Sequence, residues 1–179
     1  MGNMIGEAGE QVSQEKQSRP PQHLYVALNV NSFPMFFRNK GIKVSSTQDM
    51  HSPRLTSDWD TARVYADIHS ASNPFCLAEI TGRILERQRI AKRELPENLR
   101  TDRRAQTEYS GDDEISWSEV ERMFVTPQAL DRIQAAYREA TGVTKWDDVQ
   151  RRVVVIDDPK TEQGLRKLRK LIDPYGLLK

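Results

Sequence analysis

The first well-patterned stretch, His23-Leu-Tyr-Val-Ala-Leu-Asn-Val30, is apolar without helical spacing, which predicts a strand buried on both faces. Asn31-Ser-Phe-Pro34 follows as helix-start chemistry, with Phe33, Phe36 and Phe37 on one face of a short helix that Asn39-Lys-Gly41 closes. Ile42 to Ser46 reads as a short strand and Thr47 to Pro53 as a loop. Leu55-Thr-Ser-Asp-Trp-Asp-Thr-Ala-Arg-Val-Tyr-Ala66 reads as an extended end, a hydroxyl-rich turn and a helix running to about His69, with Ser57 as N-cap and Asp60 at the capping-box position. Phe75 to Thr81 is the next strand. The order to this point is strand, helix, strand, helix, strand.

Periodicity then weakens. Gly82 to Arg104 reads as a solvated, partly helical excursion, and Tyr109-Ser-Gly-Asp-Asp113 as turn chemistry. From Ile115 to Val125 a strand is expected, in which two-residue alternation places Glu119, Glu121, Met123 and Val125 on one face and Val120, Arg122 and Phe124 on the other. Thr126-Pro127 opens a helix whose apolar side is Leu130, Ile133, Ala136 and Tyr137, stopped by Gly142. Val153 to Ile156 is a last buried strand. Thr161 to Ile172 forms a helix with Leu165, Leu168, Leu171 and Ile172 inside and a basic outer face. The expected organisation is a disordered tail over 1–22 and one domain over 23–179, with 83–113 as a charged insertion and 161–173 as the C-terminal helix.

Composition narrows the function classes. The 179 residues carry a formal net charge of +1, so no global field selects nucleic acid or an anionic membrane. Charge is nonetheless segregated: Arg83 to Arg104 holds eight basic and four acidic residues, and Glu108 to Glu121 holds six acidic residues and no basic one. The basic stretch is the only basis for a nucleic-acid partner, and it lacks interleaved aromatics for stacking on bases. The single Cys76 rules out an internal disulfide or multi-cysteine zinc site and reads as a buried small residue. His51 and His69 lack metal-ligand spacing, so no metal is expected, and Trp59, Trp117 and Trp146 read as core or core-rim residues. No membrane span and no signal core are present in the pattern; a cytoplasmic protein, or one secreted into a host cell as an effector, is expected. Gly2 lacks the hydroxyl residue at position 6 that acylation usually wants.

The candidate chemistry is the Glu119-Val-Glu121 pair, two like charges on one strand face, set against the Thr56-Ser57 turn and Tyr65. The succession Leu24-Tyr-Val, Gly41, Leu55-Thr-Ser with Ala62 and Tyr65-Ala66, Leu77-Ala-Glu-Ile80 and Glu119-Val-Glu-Arg-Met-Phe-Val-Thr-Pro127 resembles the ADP-ribosyltransferase superfamily, including its toxin and effector members. The resemblance covers about residues 23 to 133, through order and spacing more than identity. It implies an α+β fold built on a split, strongly bent β-sheet core with flanking helices. NAD is implied as a substrate, with transfer of ADP-ribose to a macromolecular acceptor, expected to be a protein. Glu121 falls on the glutamate that holds the nicotinamide ribose, and Glu119 on the residue that orients or deprotonates the acceptor. Thr56 and Ser57 fall on the hydroxyl motif of the NAD pocket, and Tyr65 on its helical aromatic. Where the family has His or Arg and then Gly after Tyr25, this chain has Val26-Ala27, with His23 and Arg54 as nearby replacements. That departure supports the alternative of a catalytically inactive relative that binds a protein partner.

Overall fold

A computed structural model describes residues 21–44, 55–69, 73–87, 90–94, 107–110 and 113–176. The tail to residue 20, His51, Arg54 and the whole of the 95–106 stretch lie outside the described residues. The architecture mixes α and β: an open seven-stranded sheet, a separate two-stranded ladder, and helices against the large sheet.

The elements are β1 (His23–Ala27), α1 (Phe33–Arg38), β2 (Gly41–Val44), β3 (Leu55–Thr56), α2 (Trp59–His69), β4 (Cys76–Thr81), β5 (Ala91–Glu94), β6 (Thr107–Ser110), β7 (Asp113–Ser116), β8 (Val120–Val125), α3 (Pro127–Thr141), α4 (Asp147–Gln150), β9 (Val153–Val155) and α5 (Glu162–Ile172). The large sheet runs β5-β6-β3-β1-β4-β8-β9, and β2 pairs with β7 alone. Every ladder is antiparallel except β8 with β9, which are joined by a crossover through α3 and α4.

Period-two alternation divides the large sheet into two apolar faces. Leu24, Val26, Leu55, Ala78, Ile80, Met123 and Val125 pack with the aromatic face of α1 and with Ile133 of α3. Phe33 is fully buried and meets Phe36, Phe37 and Trp117 with ring centroids 5.6, 5.6 and 6.2 Å away. Burial of each such ring stabilises by about 1.5–3 kcal/mol, and ring pairing adds about 0.5–1.5 kcal/mol. The opposite face, Tyr25, Ala27, Leu77 and Phe124, is covered by Trp59, Ala62 and Ala66 of α2 and by Leu168 and Ile172 of α5. Trp59 and Trp146 are buried and Trp117 is partly so, as expected of core-rim residues.

Several boundaries differ from the sequence reading. The first strand ends at Ala27, because Asn29 turns the chain into a 3-10 turn over Val30–Ser32 by accepting from the Asn31 amide. After α1 the left-handed residue is Lys40, φ 58°, and not Gly41. Gly41 is required for another reason: a Cβ there would run into the Ile115 carbonyl across the β2–β7 ladder. The segment read as a charged excursion contributes β5 and β6 to the large sheet and a 3-10 turn at Gly82–Glu86. Tyr109, Ser110 and Asp113, expected in a turn, are strand residues, and the expected Ile115–Val125 strand is interrupted by a 3-10 turn at Trp117–Glu119. Among the described residues no helix is long and apolar enough to cross a membrane.

Candidate functional site

Strand register brings polar residues to one level across the middle of the sheet. Glu108 of β6 lies opposite Thr56 of β3, Thr56 opposite Tyr25 of β1, Tyr25 opposite Glu79 of β4, and Glu79 opposite Arg122 of β8. In the central strands β1 and β4 the row consists of Tyr25 and the only acidic residue of either strand, Glu79, set among buried apolar neighbours.

At the β4–β8 end of the row the side chains form a charge network. Glu79 is 2% exposed and receives two parallel hydrogen bonds from Arg122, Nε to Oε1 at 2.9 Å and Nη2 to Oε2 at 2.8 Å. This fork geometry is the strongest carboxylate pairing a side chain offers, and it lets a carboxylate persist in the interior. The Glu79 bond raises Arg122 above the ordinary arginine range. Arg122 also donates through Nη1 to the Leu171 carbonyl at 2.6 Å, which ties α5 to the row, and its guanidinium lies over the Phe124 ring. Tyr25 is 3% exposed and hydrogen-bonded to Glu79; burial first, then the Glu79 charge, holds its phenol far above the usual range. Tyr25 is thus a fixed donor.

Glu121 enters this network through a β-bulge. Glu79 pairs with Arg122 but Ile80 pairs with Val120, so Glu121 is an extra residue in β8. Its carboxylate lies 2.8 Å from His23 Nδ1, and the same nitrogen is 4.0 Å from Glu79 Oε1. His23 Nδ1 makes no aligned hydrogen bond to either carboxylate, so the two distances are close approaches of the ring to Glu121 and Glu79. Ligand atoms of His23, Glu79 and Glu121 lie within 4.8 Å of one another, a spacing a divalent cation could bridge. Arg122 already supplies a countercharge on Glu79, so the network balances its buried charge without one. Beside it opens a cleft of about 470 Å³, walled by His23, Thr81, Arg83, Glu86 and Glu121. Gly82 permits this wall: its amide donates to the Gln22 carbonyl at 2.7 Å, and a Cβ would strike the Pro21 carbonyl.

At the other end of the row lies the Thr56–Ser57 turn. Thr56 Oγ1 accepts from the Asp58 amide at 3.1 Å, and Asp58 caps α2: its Oδ1 accepts from the Asp60 amide at 3.1 Å and its Oδ2 from the Thr61 hydroxyl at 2.7 Å. The cap is therefore Asp58 and not Ser57. Ser57 is hydrogen-bonded instead to Tyr109 of β6. Asp60 pairs with Arg63 rather than closing a capping box. Tyr65 sits partly buried on α2 against the cluster that contains Tyr25.

The sequence-derived residues are thus only partly united. His23, Tyr25 and Glu121 meet, and Thr56 is Tyr25's neighbour on the next strand. Glu119 is elsewhere: it lies in the 3-10 turn, accepts from the Ser116 amide at 2.9 Å and pairs with Arg87, so it does not share a face with Glu121. Sequence reasoning missed the Glu79–Arg122 pair and Glu108. A lone carboxylate inside Cys76-Leu-Ala-Glu-Ile80 was a usable signal, since a charge in an apolar strand needs a partner. No protein-family model matches the chain, and comparison with curated proteins and with solved structures finds no match.

Proposed function

We propose that this protein is an ADP-ribosyltransferase that uses NAD, with Glu108, rather than Glu121, as the carboxylate that stabilises the reacting ribose. The observation that carries the reading is the adjacency of β6, β3 and β1, whose register sets Glu108, Thr56 and Tyr25 at consecutive positions across neighbouring strands. Adjacent strands lie about 4.8 Å apart, whereas β8 is three strands from β3, roughly 14 Å. A glutamate that must act beside the hydroxyl turn is better supplied from β6. In the same reading the large sheet and the β2–β7 ladder correspond to the split, bent sheet of that superfamily.

The chemistry asks for few groups. The bond between nicotinamide and ribose C1′ breaks with its electron pair leaving on nicotinamide, positive charge spreads over C1′ and the ring oxygen, and an acceptor nucleophile forms the new bond to C1′ and loses a proton. A preorganised carboxylate holding the ribose hydroxyl lowers the barrier by opposing that charge. Thr56 and Tyr65 would shape the nicotinamide end. His23 and Glu121, on the cleft at the far side of Tyr25, would face the acceptor, a protein.

Incubation with NAD labelled in the adenylate half, with and without cell extract, tests the proposal through label transfer and nicotinamide release. Activity abolished by Glu108→Gln and retained by Glu121→Gln is the expected pattern. The reverse pattern returns the role to Glu121, and activity indifferent to both substitutions removes the assignment.

A second reading, a catalytically silent relative that binds a protein, has its own observation. Val26 is fully buried in the core against α1 and α3, so the position where the superfamily carries a nicotinamide ligand faces away from the polar row. NAD binding undetectable by calorimetry favours this reading.

A further inference from the structure

The opposite ends of β4 and β8 enclose a second cavity, of about 410 Å³, walled by Pro74, Phe75, Thr126, Pro127, Arg132 and Lys160, with Asp158 at its border. Both strands have six residues, so this cavity is about 17 Å from the His23 cleft and independent of the NAD reading.

The cavity lies at the N-terminus of α3, a helix of 15 residues. Two observations coincide there. The first is the positive end of the helix: Pro127 has no amide hydrogen, and the Gln128 and Ala129 amides have no helical carbonyl to receive them. The second is Thr126, which stands at the N-cap with extended backbone (φ −74°, ψ 160°) yet makes no side-chain capping bond. Thr126 is 9% exposed, and its Oγ1 is buried without a hydrogen-bond partner among the described residues. An unsatisfied buried hydroxyl is costly, and the ordinary way to satisfy this one, donation from the Ala129 amide, is not used. Hydroxyl and amides are therefore left together beside the cavity, with Arg132 from the second turn and Lys160 from the loop before α5. Lys160 is within Coulombic range of Asp67 and Asp158, and Asp158 Oδ1 accepts from the Lys160 amide at 3.0 Å, so Arg132 is the cation left to face a ligand.

We infer that this cavity binds the phosphate of a small organic phosphate monoester, with the Gln128 and Ala129 amides and the Thr126 hydroxyl donating to phosphate oxygens and Arg132 supplying charge. Helix N-termini suit phosphate because donors and dipole act in the same direction. The apolar walls from Pro74, Phe75 and Pro127 extend beyond the volume of a bare phosphate, which selects an organic ester over the free ion.

Amide-resolved NMR titration of the full chain at constant ionic strength tests this, with inorganic phosphate, phenyl phosphate and phenol as probes. Saturable shifts centred on Gln128 and Ala129 are expected with both phosphates and not with phenol, and phenyl phosphate should bind more tightly. Arg132→Gln, on the exposed side of α3, should weaken binding about tenfold, the equivalent of one charge-assisted hydrogen bond. Thr126→Val, which keeps the side-chain shape, should weaken it by several-fold. Absence of shifts at Gln128 and Ala129 overturns the site, as does binding unchanged in both variants with native spectra. Equal affinity for the two phosphates overturns the assignment to an organic ester.

Discussion

The two faces of the large sheet are built on the same alternating strands but to different ends. On the α1–α3 side the residues between strands and helices are apolar, and four rings, Phe33, Phe36, Phe37 and Trp117, interlock. On the α2–α5 side the apolar cluster is smaller and is crossed by Thr56, Tyr25, Glu79 and Arg122. The first face gains stability from each residue it buries. The second spends some of that gain to keep a charged, hydrogen-bonded row in place, which is where chemistry can be positioned. One face is stabilised by apolar burial alone and the other also holds paired charge, and substitutions can test that difference.

The largest loss is expected on the apolar face. Phe33→Ala removes a fully buried ring and should destabilise by about 3–5 kcal/mol in urea unfolding. A loss under about 1 kcal/mol would show that the ring cluster does not carry the fold. Next is Arg122→Ala, which strands the buried Glu79 carboxylate and should cost about 3 kcal/mol, water reaching the site where the half-exposed arginine stood. The paired change Arg122→Met with Glu79→Gln should recover much of that loss, and a double variant as unstable as the single would break the account of Arg122 as countercharge.

Alkali supplies the third comparison, because buried acids lie on both faces. Burial raises the Cys76 thiol and the Tyr25 and Tyr109 phenols in the folded state. A raised folded value gives stability that is present below the unfolded value and lost as pH climbs above it. The window therefore opens near 9.0 for the thiol and 10.0 for the phenols, and each fully buried group withdraws up to about 1.4 kcal/mol per pH unit. Thermal melts from pH 8 to 11 should show midpoints falling above pH 9, with a shallower fall in Cys76→Ala. Tyr25→Phe, which deletes one hydrogen bond to Glu79, should cost about 1 kcal/mol. Smallest is Glu121→Gln: its partner His23 is substantially exposed, and stability should change by less than about 0.5 kcal/mol, as denaturation curves overlaid on the parent would show.

What the sequence revealed follows from how local each signal is. The helices over 59–69, 127–141 and 162–172 carry enough turns for their apolar stripes to stand out, and the burial of Ile133, Ala136, Leu168 and Ile172 agrees with those stripes. Ala91-Lys-Arg-Glu94 and Thr107-Glu-Tyr-Ser110 have no apolar alternation, and they are strands through their neighbours, β6 on the edge of β3 and β5 on the edge of β6. Their strand identity is a property of the neighbour. The same holds for the site: Glu79 and Arg122 are 43 positions apart, and nothing in either segment states that β4 and β8 are adjacent. Tyr25 and Thr56 were singled out for their chemistry, whereas their register with Glu108 and Glu79 depends on sheet order. The parity error at Glu119 and Glu121 has two causes, the 3-10 turn that takes Glu119 out of the strand and the extra residue Glu121 in β8.

That extra residue sets up an unusual tolerance. Removing Glu121 altogether would join Val120 to Arg122, and the pairs Ile80–Val120 and Glu79–Arg122 would then follow one another in regular antiparallel order. Val120, Met123 and Val125 would still reach one core, and Arg122 and Phe124 the other, in unbroken alternation. The ladder would be closer to ideal without the residue than with it. The β4–β8 ladder does not need Glu121, so a one-codon deletion would separate the pairing of these strands from the contact that Glu121 makes with His23.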